Sequence, residues 1–375
     1  MSKSKPKTEN EAVKKKSGRG SEKVAARELA EIDRELLRLM QLRGETVLKV
    51  VGENASAAEK ALAAATTGEQ LQKLAAENGG PLSGRCVEAV VREILSGCRE
   101  LVREPRIAIL GPLYSYSHLA AIHRFGQSVE FVPVSNIAAV FEEVHGGHSE
   151  YGLAPIENST DGRVADTLDM FIRLPVKICG QIDLKIHHTL LGKCPRAEVK
   201  EVYSKPQAIS QCRNWLAKHL PAARPIEVTS TSTAAQLASE KPGAAAIASI
   251  QAGVHYGLDV LAEKIEDNPS NTTRFAVIGG TPPARTGDDR TDILLEIEHR
   301  PGALAEAMMI FKRNRLNMTW IESFPIPGSK RGYFFFVEME VHETDARFRK
   351  AVGQLLKKTV RLEILGSFPA AMTVE

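Results

Sequence analysis

The spacing of apolar residues changes character near Arg106, and that change excludes a single uniform architecture. Upstream, Leu29, Ile32, Leu36, Leu37, Met40, Val47, Leu48 and Val51 recur at helical spacing, the mark of one long amphipathic helix. The alanine-rich stretches AAEKALAAATTGEQLQKLAAEN and CVEAVVREILSGCREL keep a helical character, and NGGPLSG between them carries the glycines and proline that end helices. Residues 21–103 are therefore expected to be an all-α, three-helix unit. From Arg106 onward, RIAILGP, VEFVPV, YGLAPI, VKICGQIDLKI, VKEVYS and AAAIAS are short apolar runs alternating with helical stretches, which is α/β patterning. A mostly parallel sheet is expected over 104–280, long enough for two α/β lobes with a cleft that suits small anions at helix N-termini.

TPPARTGDD, residues 281–289, joins two prolines, a glycine and charge, and reads as a linker. Residues 290–375 then scan as strand (DILLEIE), helix (GALAEAMMIFKRN), strand (LNMTWIESF), strand (GYFFFVEMEV), helix (DARFRKAVGQLLKK) and strand (VRLEILGSF). That βαββαβ order predicts an α+β, ferredoxin-like domain.

Composition narrows the function. With 375 residues, 43% apolar and 25% charged, the chain is expected to hold several compact units, and no apolar run approaches the roughly 20 residues of a membrane span. The basic N-terminal stretch 1–20 lacks an apolar core, so it is read as a disordered, solvated tail and not as a secretory signal. Cys86, Cys98, Cys179, Cys194 and Cys212 show no CxxC or metal-ligand spacing, which points to reduced thiols and a cytoplasmic setting. A net charge of +3 with no basic stripe interleaved with aromatics gives no nucleic-acid signature, and nothing in the pattern calls for a metal or another cofactor.

One hexapeptide, SNTTRF at 270–275, places two threonine hydroxyls, a guanidinium and a phenyl ring side by side. Taken alone it reads as a turn with a solvent-facing arginine. TSTSTAA before a helical stretch reads first as an N-cap, and His118, His187 and His188 as structural histidines.

The hexapeptide closes a series of ordered blocks. GPLYSYSHLAA (111–121), PIENSTDGRVADTLDMF (155–171), IHHTLL, VYSKPQAISQCRNWL, TSTAAQLA and AAIASIQAGVHYGLDVLAEKIEDNPSNTTRF resemble, in that order, the motifs of prephenate dehydratase across 106–280. The C-terminal segment, with PGALA (301–305) and WIESFP (320–325), is similar to the phenylalanine-binding ACT domain, and the helical unit stands where bifunctional relatives carry chorismate mutase. The resemblance implies a two-lobed, periplasmic-binding-protein-like catalytic domain acting on prephenate without a cofactor, an L-phenylalanine effector, and a homodimer or homotetramer.

It also implies roles. Thr273 would be the catalytic hydroxyl, a preorganised donor or proton relay for the departing hydroxyl group. Ser115, Ser117, Asn158, Ser159 and Thr231 would be short neutral donors for the two substrate carboxylates. Arg274 would grip a carboxylate or orient the loop, and Phe275 would supply an apolar wall. Gly302, Ala303, Leu304, Asn317, Glu322 and Ser323 would form the effector site.

The chain departs from the pattern at several points. Of the mutase cations only Arg43 matches; Arg27 is out of register by one, the lysine position holds Asn54, the aspartate position Ala63, an Arg-Glu pair becomes Thr66 and Thr67, and Cys98 and Val102 replace a serine and a glutamine. Little or no mutase activity is therefore expected. Tyr114 stands at the loop glycine, Lys205 at a histidine and Phe324 at the arginine of IESRP. Two alternatives stay open: a truly bifunctional enzyme, and a non-catalytic sensor of small acids.

Overall fold

The computed structural model describes residues 9–53, 74, 77–280, 282–326 and 332–374. A 45-residue helix, Glu9–Glu53, opens the chain. The part of the expected disordered tail from Glu9 onward is thus helical; it holds no proline and carries two glutamates and three consecutive lysines, which favour helix. A second helix, Gly84–Glu100, starts at Ser83, whose side chain accepts the Cys86 N–H at 3.2 Å. The segment expected as the middle helix lies largely outside the described residues.

The first α/β lobe begins with β1 (Arg106–Leu110), β2 (Glu130–Val134), β3 (Tyr151–Asn158), the two-residue β4 (Gly162–Arg163) and β5 (Ile178–Lys185). The chain then crosses to a second lobe built on β6 (Thr189–Gly192), β7 (Glu201–Ser204), β8 (Arg224–Glu227), β9 (Ala244–Ala248) and β10 (Asp259–Ala262). It returns as β11 (Thr272–Gly279), which enters the first sheet between β3 and β5.

Both sheets are mixed, which corrects the expectation of a mostly parallel one. In the first, β1 is parallel to β2 and β3, whereas β11 is antiparallel to both of its neighbours. The reason is topological. The chain leaves the lobe at Lys185 and re-enters with Thr272 paired to that same residue, so the returning strand must run against β5. In the second sheet, ordered β10-β6-β9-β7-β8, β7 is parallel to β8 and β9 while β6 opposes β9 and β10.

The C-terminal unit follows the βαββαβ order: β12 (Asp289–Ile297), helix Ala303–Arg313, β13 (Met318–Pro325), β14 (Tyr333–Met339), helix Ala346–Leu355 and β15 (Thr359–Pro369). Its antiparallel sheet alternates two faces. Ile293, Leu295 and Val337 meet Phe311 and Phe348 of the two helices, while Leu294, Phe334 and Phe336 pack into one core with Ile156, Phe171 and Ile278 of the first lobe. The approach is close: a Cβ at Gly366 would overlap the backbone of Ile178. One further strand, β16 (Met372–Val374), adds to the first lobe's sheet parallel to β5. No helix of the described residues is long and apolar enough to cross a membrane.

Candidate functional site

The chain order of β1, β2 and β3 reverses around β1, and the crevice beyond the carboxyl ends of β1 and β3 is where such sheets bind ligands. Leu110 ends β1 and leads through Gly111–Ser115 into the helix Tyr116–Phe125. Ser115 caps that helix: its Oγ accepts the His118 N–H at 3.4 Å and donates to Leu110 O at 3.0 Å, so its bonding capacity serves the loop. Tyr114 adopts left-handed backbone (φ 65°), and its N–H donates to His118 Nδ1 at 2.9 Å. Burial pushes the His118 imidazole down to about 4, which keeps that nitrogen an acceptor at neutral pH.

The same loop docks on the second lobe. Ser232 Oγ donates to Leu113 O at 2.8 Å, Ser249 Oγ donates to Tyr114 O at 3.2 Å, and the Tyr114 ring stacks on His255 with centroids 4.0 Å apart. Ser232 lies in the first turn of the helix Thr231–Glu240, and Ser249 caps the helix Ile250–Tyr256. Helix N-termini from both lobes therefore meet at one loop, an arrangement that favours anions. Ser117 and Thr231 sit in the first turns of two of these helices, only 6% and 7% exposed, and their hydroxyls take no partner among the described residues.

Thr273 lies on the same edge of the first sheet, opposite Asn158 in the β3–β11 ladder. Asn158 Nδ2 donates to Thr273 Oγ1 at 2.8 Å and to Asn271 Oδ1 at 3.0 Å. With a lone pair engaged by the amide, the threonine proton is left to point elsewhere. Ser159 is committed to backbone: its Oγ accepts the Thr272 N–H at 2.9 Å and donates to Ser270 O at 3.4 Å.

Two residues of the hexapeptide stand apart from this edge. Phe275 is 2% exposed and packs in the core with Ile107, Leu119 and Val277, so it lines the core instead of the cleft. Arg274 is held by Gln181 at 3.0 Å and by Glu338 of the C-terminal domain. The hexapeptide is strand from Thr272 onward, not a turn with a solvent-facing arginine.

The two crossings between the lobes are tied by His187 and His188, expected as structural histidines, together with Glu266 and Gln211, which sequence reasoning passed over. Glu266 bonds His187 Nδ1 at 2.7 Å and accepts the His188 N–H at 2.9 Å. His188 Nε2 meets Gln211 Oε1 at 2.9 Å, and Gln211 also accepts from Asn271 Nδ2 at 3.0 Å. Burial lowers the His188 pKa and, on the other ring nitrogen, raises that of its partner Tyr116 well above the usual phenol value. A continuous path of hydrogen bonds thus runs from Thr273 through Asn158, Asn271 and Gln211 to His188. The signal for Asn271 was present: it is the second residue of the hexapeptide, and only 1% exposed.

In the C-terminal domain a cavity of about 730 Å³ is lined by Gly302, Ala303, Leu304, Met308, Lys312 and Phe335, among others. Gly302 is the N-cap of the helix Ala303–Arg313, in left-handed backbone (φ 80°) and without a side-chain cap. Asn317, Glu322 and Ser323 do not line it. Asn317 donates to Glu340 at 2.7 Å, while Arg163 of the first lobe binds the Glu322 carboxylate and, at 2.6 Å, the Ser323 carbonyl. In the helical unit, Arg27 pairs with Glu31 at 3.3 Å, and Arg43 Nη1 is buried without a hydrogen-bond partner among the described residues. The mutase positions Asn54, Ala63, Thr66 and Thr67 fall outside the described residues.

Comparison with known proteins matches residues 107–283 to the prephenate dehydratase family and residues 26–103 to chorismate mutase type II. The chain is 38% identical over 359 residues, covering 94% of itself and 99% of the relative, to the bifunctional chorismate mutase/prephenate dehydratase of Aquifex aeolicus. Among solved structures it is similar to a prephenate dehydratase from Arthrobacter aurescens in complex with L-Phe, at 30% identity and a TM-score of 0.65 over 71% of this chain and 90% of that one. A quorum-quenching acylase, GqqA, matches at 28% identity and a TM-score of 0.65, over 71% of this chain and 98% of its own. These matches leave the expectation of an inactive mutase domain without support.

Proposed function

Since the chain belongs to the prephenate dehydratase family, in the layout that adds a chorismate mutase domain, we propose that Thr273 is the hydroxyl serving the leaving group. The reaction is the decarboxylating dehydration of prephenate to phenylpyruvate in L-phenylalanine biosynthesis. The bond to the ring carboxylate breaks and its electron pair completes the aromatic ring as the C–O bond opens. Prephenate and one proton thus give phenylpyruvate, carbon dioxide and water.

The observation that carries the role is the 2.8 Å bond from Asn158 to Thr273 Oγ1. It occupies the oxygen as acceptor and so presents the threonine as donor toward developing hydroxide, where preorganised donors lower barriers most. A threonine far from its pKa acts as such a donor without becoming an alkoxide. Ser117, Thr231 and the helix N-termini beside them supply neutral donors and dipoles for the carboxylates. They add no fixed cation where one of the two charges must leave as carbon dioxide.

L-phenylalanine fits the cavity at Gly302, where uncapped N–H groups of the helix Ala303–Arg313 suit its carboxylate and Met308 and Phe335 its ring. Glu322, held by Arg163 of the first lobe, would reach such a ligand only from a second copy, as a homodimer or homotetramer would provide, whereas Ser323 pairs directly with Phe335 of the cavity lining. The half-buried Arg43, whose Nη1 finds no hydrogen-bond partner among the described residues, favours a second activity, since a guanidinium with a free donor suits the dianion chorismate.

A time course with prephenate at neutral pH tests the main reading. Wild type is expected to form phenylpyruvate, and Thr273→Ala to lose about a hundredfold or more in kcat. A folded wild-type protein that leaves prephenate untouched would overturn the reading. Chorismate added in its place reports the mutase.

A further inference from the structure

Arg274 neighbours Thr273 but lies on the opposite face of the sheet. Phe275 and Val277 face the helix Tyr116–Phe125, whereas Ala276 and Ile278 face the C-terminal domain, and alternation puts Arg274 with the latter pair. There its Nη2 donates to Gln181 on β5 and to Glu338 on β14, its Nη1 stands 3.8 Å from Glu157 on β3, and its Cζ lies 5.2 Å from the Trp320 ring centroid. Glu338 is 5% exposed and also accepts from the Thr319 hydroxyl. Directly across the β12–β14 ladder stands Asp292, 4% exposed, with Oδ1 unpartnered among the described residues.

An apolar core already joins the two domains, so this ion pair is not needed to hold them together. Burying charges costs desolvation, and a buried pair adds little net stability; its recognised use is to fix one register among alternatives. The register at issue is that of β11 against β3: between Arg274 and Phe275, one residue beyond Thr273, the ladder skips Ile156 of β3, while the pairing of β11 with β5 runs unbroken from Thr272 to Val277. A bulge of this kind bends the ladder and re-aims the side chains beside it, and the residue anchored is the one next to the reacting hydroxyl.

We propose that Glu338 is a positioning residue for the dehydration: through Arg274 it holds the end of β11 so that Thr273 aims its hydroxyl into the cleft. The active site is thus completed by a carboxylate of the C-terminal domain. This inference rests on the dehydratase reading above.

The test uses the full chain and measures kcat, KM and thermal midpoint with prephenate. Glu338→Gln is expected to lower kcat about ten- to a hundredfold, the scale of a misplacement near 1 Å, with KM within about twofold. Glu338→Gln combined with Arg274→Gln is expected to be no slower than the slower single variant, because both act along one path. Thr319→Val, which keeps both charges, is expected to lower kcat less, again at constant KM. It decides the matter should Glu338→Gln fail to fold: an unchanged kcat would overturn the proposal. So would a Glu338→Gln variant that melts lower yet keeps its kcat, or losses that multiply in the double variant. Absence of turnover in wild type strikes the dehydratase reading itself, and is read separately.

Discussion

A threonine hydroxyl has one proton and two lone pairs, so a donor that claims a lone pair directs the proton to another partner. At Thr273 the claim is made by Asn158, which also bonds Asn271, itself tied to Gln211 at the lobe crossing. Asn158→Ala is therefore expected to lower kcat about tenfold in the prephenate assay while leaving Thr273 chemically intact. Loss of a hydrogen bond of this kind costs about 1 kcal/mol in stability, a small fall in the urea midpoint. An unchanged kcat would show that Thr273 finds its orientation without the amide. The sequence marked both residues, but far apart and as separate donors. Their contact depends on β3 and β11 being paired, which no local pattern reveals. Arg274 was misplaced for a related reason: as part of a turn it could reach the cleft, whereas in a strand it must face away from Thr273.

Strands with buried runs, such as β1, β3 and β9, were legible because their apolar stretches are nearly continuous. Edge and short strands were not. β8, RPIE, exposes three of its four residues, and β16 pairs with a domain other than the one it follows. The 111–115 loop was legible by resemblance, yet the consequence of Tyr114 at a glycine position needed the structure. With φ 65° the position favours glycine, and tyrosine is retained there with its ring on His255 and on the second lobe's core. The ring thereby latches the lobes. Tyr114→Gly removes a stack between the lobes worth about 0.5–1.5 kcal/mol, and KM is expected to rise by up to the matching factor, roughly two- to tenfold, with kcat little changed. Tyr114→Phe keeps the stack and should keep the wild-type KM. Equal KM values in all three proteins would dismiss the latch.

At the scale of the whole molecule, three domains in the right order could be read from period changes and ordered motifs, but their mutual packing could not. The C-terminal sheet uses one face for its own helices and the other for the first lobe, and the charges on that second face look merely alternating in the sequence. Asp292 and Glu338 are the consequence: two carboxylates opposite one another, closed under the interface with Arg274. Burial, reinforced by the Glu338 charge and only partly offset by Arg274, pushes the Asp292 carboxyl up to about 8. In the unfolded chain the same group titrates near 4. A folded pKa raised above the unfolded one gives stability that is complete below about pH 4 and is lost as pH rises through about 8. Unfolding followed in urea at pH 5.5, 7 and 8.5 should therefore show the wild type weakening as pH rises. Asp292→Asn, which keeps the shape and holds no titrating proton, should flatten that slope. A slope equally steep in the variant would mean that Asp292 is ionised in the native protein and that other groups set the slope. That outcome would require a second cation within reach of Oδ1, and among the described residues only Arg274 is drawn to this carboxylate.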